Sequence, residues 1–250
     1  MGNEKQMRKL PFEKNYPSIS YIVSNWPKSK NILKKFILSN HKKPDLYKLC
    51  VSCLRDLNVK KIGGFKLVLQ ELSKRCLRNV TFNTYHNEHH YKAVVVISCM
   101  LAKLINLKND DEKILLIIIA LSHDLSHNGR RVSKVPYFQE NKSFFELQKL
   151  LFRKIPNLKK NKRIHRIFKS TYFPIKPKKV DDKIEKIILD ADILASLMFG
   201  MDVGIELAKR LKHEIRFEDK SDVLFSGFLK LLQNKSLYLE SSKKVLLKKY

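Results

Sequence analysis

Beyond a proline-punctuated stretch, NYPSISYIVSNWPKSKN, apolar residues recur at intervals of three and four almost to the end of the chain. That is the spacing of one buried face of an α-helix. Pro44 and Asp45 open the segment PDLYKLCVSCLRDL, and the Gly63-Gly64 break precedes GGFKLVLQELSKRCLRNV, so a helix is predicted in each. The next two segments, HNEHHYKAVVVISCMLAKLINL and NDDEKILLIIIALSHDLSH, have almost wholly apolar interiors. Helices apolar on every side belong in the centre of a protein. Between them Asn109, Asp110 and Asp111 offer an N-cap and an acidic first turn.

Further on, GRRVSKVPYFQEN reads as a loop, KSFFELQKLLFRKI as a helix, and NLKKNKRIHRIFKSTYF as a basic loop followed by a helix. PIKPKKVDD is the clearest linker, and DKIEKIILDADILASLMFG after it is a long helix ending near Gly200, a residue type that commonly terminates helices. MDVGIELAKRLKHEIRF, SDVLFSGFLKLLQ and SLYLESSKKVLLKK complete a helical succession with no segment that reads as a strand or a repeat. The expectation is an all-α protein: one compact multi-helix domain over residues 43–250, with an N-terminal extension, residues 1–42, packed on it.

Composition agrees with a folded, turn-poor chain: 250 residues, 44% hydrophobic, with 7 Gly and 8 Pro. The formal net charge of +27 surrounds it with a field that attracts phosphate-bearing molecules. The basic residues are mostly Lys and are spread through every segment. A nucleic-acid partner is therefore considered but not favoured, and a small phosphate-containing substrate needs no dedicated basic surface.

Four cysteines suit a reducing compartment better than a disulfide framework. Cys50 and Cys53 form a CxxC, but a zinc site needs two more ligands, and neither Cys76 nor Cys99 has a partner nearby in sequence. Buried helical thiols are expected. MGNEKQMRKLPF lacks the apolar core of a signal peptide, and Gln6 stands where a myristoylation motif has Ser or Thr. The longest apolar run, Ile114 to Leu121, is too short to span a bilayer. A soluble, cytoplasmic protein is expected, with no membrane span.

Polar residues inside the apolar helices need an explanation, because an unpaired buried charge is costly. In NTYHNEHHYKAVVV, His86 and His90 are four apart, whereas His89 points elsewhere and its replacement is expected to cost little. ALSHDLSHNGR places His123, Asp124 and His127 at the end of the most apolar segment, at spacings that share or nearly share a helical face. LDADILASL adds Asp190 and Asp192 inside a strongly apolar helix. Three separated helices thus each bring a His or Asp to a position where core is expected, and metal binding would offset the cost of burying them.

With these residues in view, YHNEHH, HDLSHNG and DAD resemble the H…HD…D signature of the HD-superfamily metal-dependent phosphohydrolases. More closely, they resemble the catalytic domain of the class I 3′,5′-cyclic-nucleotide phosphodiesterases, with its YHNxxH, HDxxHxG and later AD motifs. The resemblance runs from Thr81 to Phe228. It implies an all-helical fold around a binuclear metal site, with His90, His123, Asp124 and Asp192 as ligands of the tighter ion, expected to be Zn²⁺. Asp124 would also reach a second, more hydrated Mg²⁺ or Mn²⁺, whose waters His127 and Glu146 would hold. A metal-bridging hydroxide would attack phosphorus, His86 would act as general acid, and Tyr85, Asn87 and Phe228 would position the substrate.

The chain departs from that family's pattern at Val132, where an Asn stands, and at Leu147, Gln148 and Lys149, where histidines follow the glutamate. Ala195 and Phe225 replace an Asn and a Gln that face the nucleobase, so the usual selection between cyclic nucleotides is not expected. Other readings of the same sequence are an HD-type nucleotide phosphohydrolase with another substrate, an HD-type di-iron oxygenase, or a basic nucleic-acid-binding protein with a vestigial site.

Overall fold

The structure, a computed structural model, describes residues 18–38, 45–77, 83–127, 135–154, 162–172, 179–216 and 237–247, together with 223, 226, 227 and 229. Among the described residues there are eleven α-helices and no strand. The all-α expectation holds. Phe225, Phe228 and Val132 lie outside the described residues.

In chain order the helices are α1 (Ile19–Ser24), α2 (Lys30–Leu38), α3 (Leu46–Asp56), α4 (Phe65–Cys76), α5 (Glu88–Leu104) and α6 (Asp110–Ser122). There follow α7 (Phe138–Lys154), α8 (Lys162–Ser170), α9 (Lys183–Leu197), α10 (Met201–Ile215) and α11 (Glu240–Leu247). Two differ from the sequence reading. Ile19–Ser24 is helical within the proline-punctuated stretch, started by the Ser18 hydroxyl, which accepts from the Tyr21 amide. Helix α7 begins at Phe138, so the expected loop gives up its last residues, Phe138 to Asn141, to the helix.

The centre is α5, buried continuously from His89 to Ala102 and packed most extensively against α9 and then α6. Helices α6 and α9 are also buried around most of their circumference, whereas the flanking helices α2, α3, α4 and α10 bury mainly one face, as their charged residues require. Polar caps fix where the elements start. The Asp45, Asn87, Asn109 and Asp182 side chains accept from backbone amides in the first turns of α3, α5, α6 and α9. Gly200, with φ of 106°, turns the chain between α9 and α10 in a conformation that L-residues avoid. All four cysteines are buried free thiols. No helix among the described residues is long and apolar enough to cross a membrane.

Candidate metal centre

Two short segments and one helix bring the polar residues together. Asn87 caps α5, so His86 sits just before the helix and His90 in its first turn. Helix α6 ends at Ser122, so His123 and Asp124 lie in the turn that follows, and His127 lies just past it. The convergence therefore comes from helix ends rather than from a shared helical face. Asn83 ties the two segments together, its side-chain amide donating to the carbonyls of His86 (3.0 Å) and His127 (3.1 Å). The Tyr91 hydroxyl donates to the Asp124 carbonyl, and the Ser126 amide donates to Ser143 on α7.

His90 Nε2 lies 3.3 Å from His123 Nε2, 3.0 Å from Asp124 Oδ2 and 3.4 Å from Asp192 Oδ1. His123 Nε2 in turn is 3.1 Å from Asp124 Oδ2 and 3.9 Å from Asp192 Oδ1. Four ligand atoms bound to one cation at about 2.0–2.2 Å are separated from one another by roughly 3.0–3.5 Å. His90, His123 and Asp124 have this spacing, and two imidazoles with a carboxylate suit a zinc-like ion; Asp192 approaches the two histidines at 3.4 and 3.9 Å. His123 donates Nδ1–H to the Ala120 carbonyl (3.0 Å), which leaves Nε2 as the atom facing the cluster.

Burial opposes charge on both members of the His123–Asp124 pair, yet their mutual attraction outweighs it. The His123 imidazole is pushed up to about 9, with Asp124 as the main counterweight to burial. Burial likewise works against the Asp124 carboxylate, but His123 and His86 hold it well below the usual range.

His86 and His127 form the other half of the site. Their rings stack at 3.7 Å with an interplanar angle of 22°. His86 Nε2 faces Asp124 Oδ2 at 3.8 Å. Its Nδ1 meets Glu214 Oε1 at 2.5 Å, and His127 Nδ1 lies 3.2 Å from the same oxygen. Glu214 Oε2 accepts the backbone amides of Tyr85 (2.7 Å) and His86 (2.9 Å). Burial would raise this carboxyl, but the hydrogen bonds from His127 and His86 hold it far below the usual range. Burial and the neighbouring His127 lower the His86 imidazole, while Asp124 and Glu214 pull it upward.

The sequence reading did not single out Glu214. On the mixed helix α10 it is buried together with Val203, Gly204 and Ala208, a stripe that only the helical spacing of those small and apolar residues could have indicated.

Other expected residues go elsewhere. Glu146 pairs with Lys149 at 2.8 Å and Arg75 at 3.4 Å, away from the histidines. The carboxylate of α7 that feels Asp124, His127 and His123 is Glu140, raised chiefly by burial. It lies in the four residues of α7 that the sequence reading left in a loop. Tyr85 packs its ring against His86 and His90 and shares a 2.5 Å hydrogen bond with Ser196 of α9. Asn87 donates to the Thr84 carbonyl and accepts from the His89 amide, so both ends of its side chain serve the cap. Ala195 is buried on α9 beside a cavity of about 20 Å³, room for one water and not for a nucleobase.

The two aspartates of LDADILASL separate completely. Asp192 lies against His90 and His123, whereas Asp190 is fully buried and accepts the Tyr238 and Leu239 amides at 2.9 Å each. His89 is no ligand either. It donates Nδ1–H to the Ile37 carbonyl at 2.8 Å, and Lys92 reaches the neighbouring Phe36 carbonyl, so both serve the C-terminal end of α2. This contact argues for a structural role for His89, against the expectation that its replacement costs little.

No family model, curated protein or solved structure matches the chain. The site is therefore read from its own geometry and chemistry.

Proposed function

We propose that this protein is a two-metal phosphohydrolase whose first substrate to test is a 3′,5′-cyclic nucleotide. The observation that carries the reading is the convergence of His90, His123 and Asp124 at 3.0–3.3 Å, with Asp192 Oδ1 3.4 Å from His90 and 3.9 Å from His123, and His86 Nε2 3.8 Å from Asp124. His90, His123, Asp124 and Asp192 would hold the tighter ion, Zn²⁺ by donor type. Asp124, with His127 and Glu140 nearby, would serve a more hydrated Mg²⁺ or Mn²⁺. When bound, such ions supply Lewis-acid neutralisation of a phosphoryl group and activation of a water.

The chain's own residues supply the proton chemistry. Glu214 accepts Nδ1–H of His86, which fixes the ring with Nε2 toward the cluster. A proton carried on Nε2 is then placed to pass to the leaving oxygen, and the anionic Glu214 stabilises the imidazolium before transfer. Because burial and His127 lower the His86 imidazole, its protonated form is a stronger acid than a free histidine. Tyr85 and Asn87 hold this arrangement from behind.

The test is hydrolysis by purified protein with added Mg²⁺ or Mn²⁺, across cyclic mononucleotides, cyclic dinucleotides and nucleoside mono- to triphosphates. Turnover lost in Asp124→Ala supports the proposal. Its absence in the wild type, or turnover unchanged by that substitution, overturns it. Metal analysis of protein purified without added metals serves as a check, since two tightly held irons with oxygen consumption would indicate an oxygenase instead.

A further inference from the structure

We propose that His86, His127 and Glu214 form a second transition-metal site, distinct from the His90 cluster, at which a borderline divalent cation such as Zn²⁺ disables the proton donor. The three ligand atoms lie within 4.8 Å of one another. Glu214 has a fully buried side chain, and its Oε2 is taken by two backbone amides. Only Oε1 is left, and it faces the Nδ1 atoms of both imidazoles.

Stacking of the two rings at 3.7 Å with 22° between their planes keeps those nitrogens side by side, and the rings must splay further for both in-plane lone pairs to converge on one ion. The 3.2 Å between His127 Nδ1 and Glu214 Oε1 already suits ligands at about 2.0–2.2 Å from a shared cation. The 2.5 Å between His86 Nδ1 and Oε1 must open by roughly half an ångström, within the reach of a small ring rotation. Two imidazoles and one carboxylate select Zn²⁺, Co²⁺ or Ni²⁺ over Mg²⁺ or Ca²⁺. The site shares no residue with the His90, His123, Asp124 and Asp192 set.

The consequence for His86 is chemical. With Glu214 as partner, the protonated ring releases a proton from Nε2 and remains a neutral imidazole. With a cation on Nδ1, each neutral ring moves its single proton to Nε2, and releasing that proton would leave an imidazolate. That is a far poorer acid, so occupancy stops proton donation. The inhibitory part rests on the reading of His86 as proton donor, whereas the binding part does not.

The test uses the full chain carrying Asp124→Asn and Asp192→Asn, stripped with chelator and titrated with Zn²⁺ by calorimetry and with Co²⁺ by visible absorbance. One equivalent is expected to bind. Adding Glu214→Gln, or separately the milder His127→Gln, should weaken that binding by more than about a hundredfold while helicity by circular dichroism is retained. A folded double variant that takes up no ion overturns the proposal. So does one whose ion survives both added substitutions. In the single variant Glu214→Gln, one equivalent should remain at the His90 set, and its absence there would count against the preceding proposal and not this one. Inhibition of Mg²⁺-supported turnover by excess Zn²⁺ in the wild type is expected, and its absence overturns the inhibitory role.

Discussion

Glu214 Oε1 lies 2.5 Å from His86 Nδ1 and 3.2 Å from His127 Nδ1, so one buried carboxylate on α10 orients two imidazoles carried by other parts of the chain. Glu214→Gln should therefore lower kcat by about 10²- to 10⁴-fold, the range for a positioned acid–base group. The ion at the His90 cluster should be retained. Steady-state kinetics beside metal analysis checks this, and an unchanged kcat would remove Glu214 from the catalytic arrangement.

Asp190 and Asp192 allow the same substitution to be made at two neighbouring positions with opposite outcomes. Asp190→Asn weakens the two bonds to the Tyr238 and Leu239 amides and should cost about 1.5–3 kcal/mol of stability. Metal content per folded molecule should stay the same. Asp192→Asn should lose the tighter ion with little change in the stability of the metal-free protein. Urea denaturation and metal analysis of both variants separate the roles.

Glu140 and Glu146 form a second contrast on α7. Glu146→Gln removes surface ion pairs with Lys149 and Arg75, each worth about 0–1 kcal/mol, and turnover should not move. Glu140→Gln, which removes a carboxyl that feels the charges of Asp124 and His127, should raise the Mg²⁺ or Mn²⁺ concentration needed for half-maximal rate by about 10- to 100-fold. Equal effects of the two substitutions would contradict the placement.

His89→Ala should destabilise without disturbing the metal cluster. It removes the donor to the Ile37 carbonyl and leaves that buried acceptor unpaired, a cost of about 1–3 kcal/mol. A melting temperature equal to that of wild type would show that the end of α2 is satisfied in another way.

Asp182 gives stability a pH dependence. Burial opposes its charge, but Arg163, with help from the Ile184 and Glu185 amides, holds the carboxyl below its ordinary value. A folded pKa below the unfolded value of about 3.9 means that the stabilisation is fully present above that pH and is lost as pH falls through the folded pKa. Asp182→Asn should lower stability near neutrality by about 1–2 kcal/mol. It should also flatten the loss of stability between pH 5 and pH 3, measured by urea denaturation.

The central helices were legible in the sequence because α5, α6 and α9 are apolar on every side, so each His or Asp in them stood out as a cost needing a partner. That pattern singled out His86 and His90, His123, Asp124 and His127, and Asp190 and Asp192. The family resemblance chose His90, His123, Asp124 and Asp192 among them, and the structure sets Asp124 and Asp192 against His90 and His123. Glu214 was not singled out, because α10 also carries Lys209, Arg210 and Lys212, and one more charge on a mixed helix looks solvated until its burial is known. Glu146 was named from the resemblance and Glu140 was passed over, since the choice depends on where α7 begins, and Tyr137, with φ of 61°, fixes that through a backbone turn with no clear residue pattern. The residue pattern alone did not separate Asp190 from Asp192, a choice made only by the resemblance, because the Asp190 partners are backbone amides nearly fifty residues away, invisible to any local pattern.

The hydrogen bonds from Asn83 to the His86 and His127 carbonyls, and from His123 to Ala120, place the donors without help from any ion. Removal of an ion by chelator is therefore expected to leave helicity by circular dichroism unchanged, since contacts within the chain hold these residues.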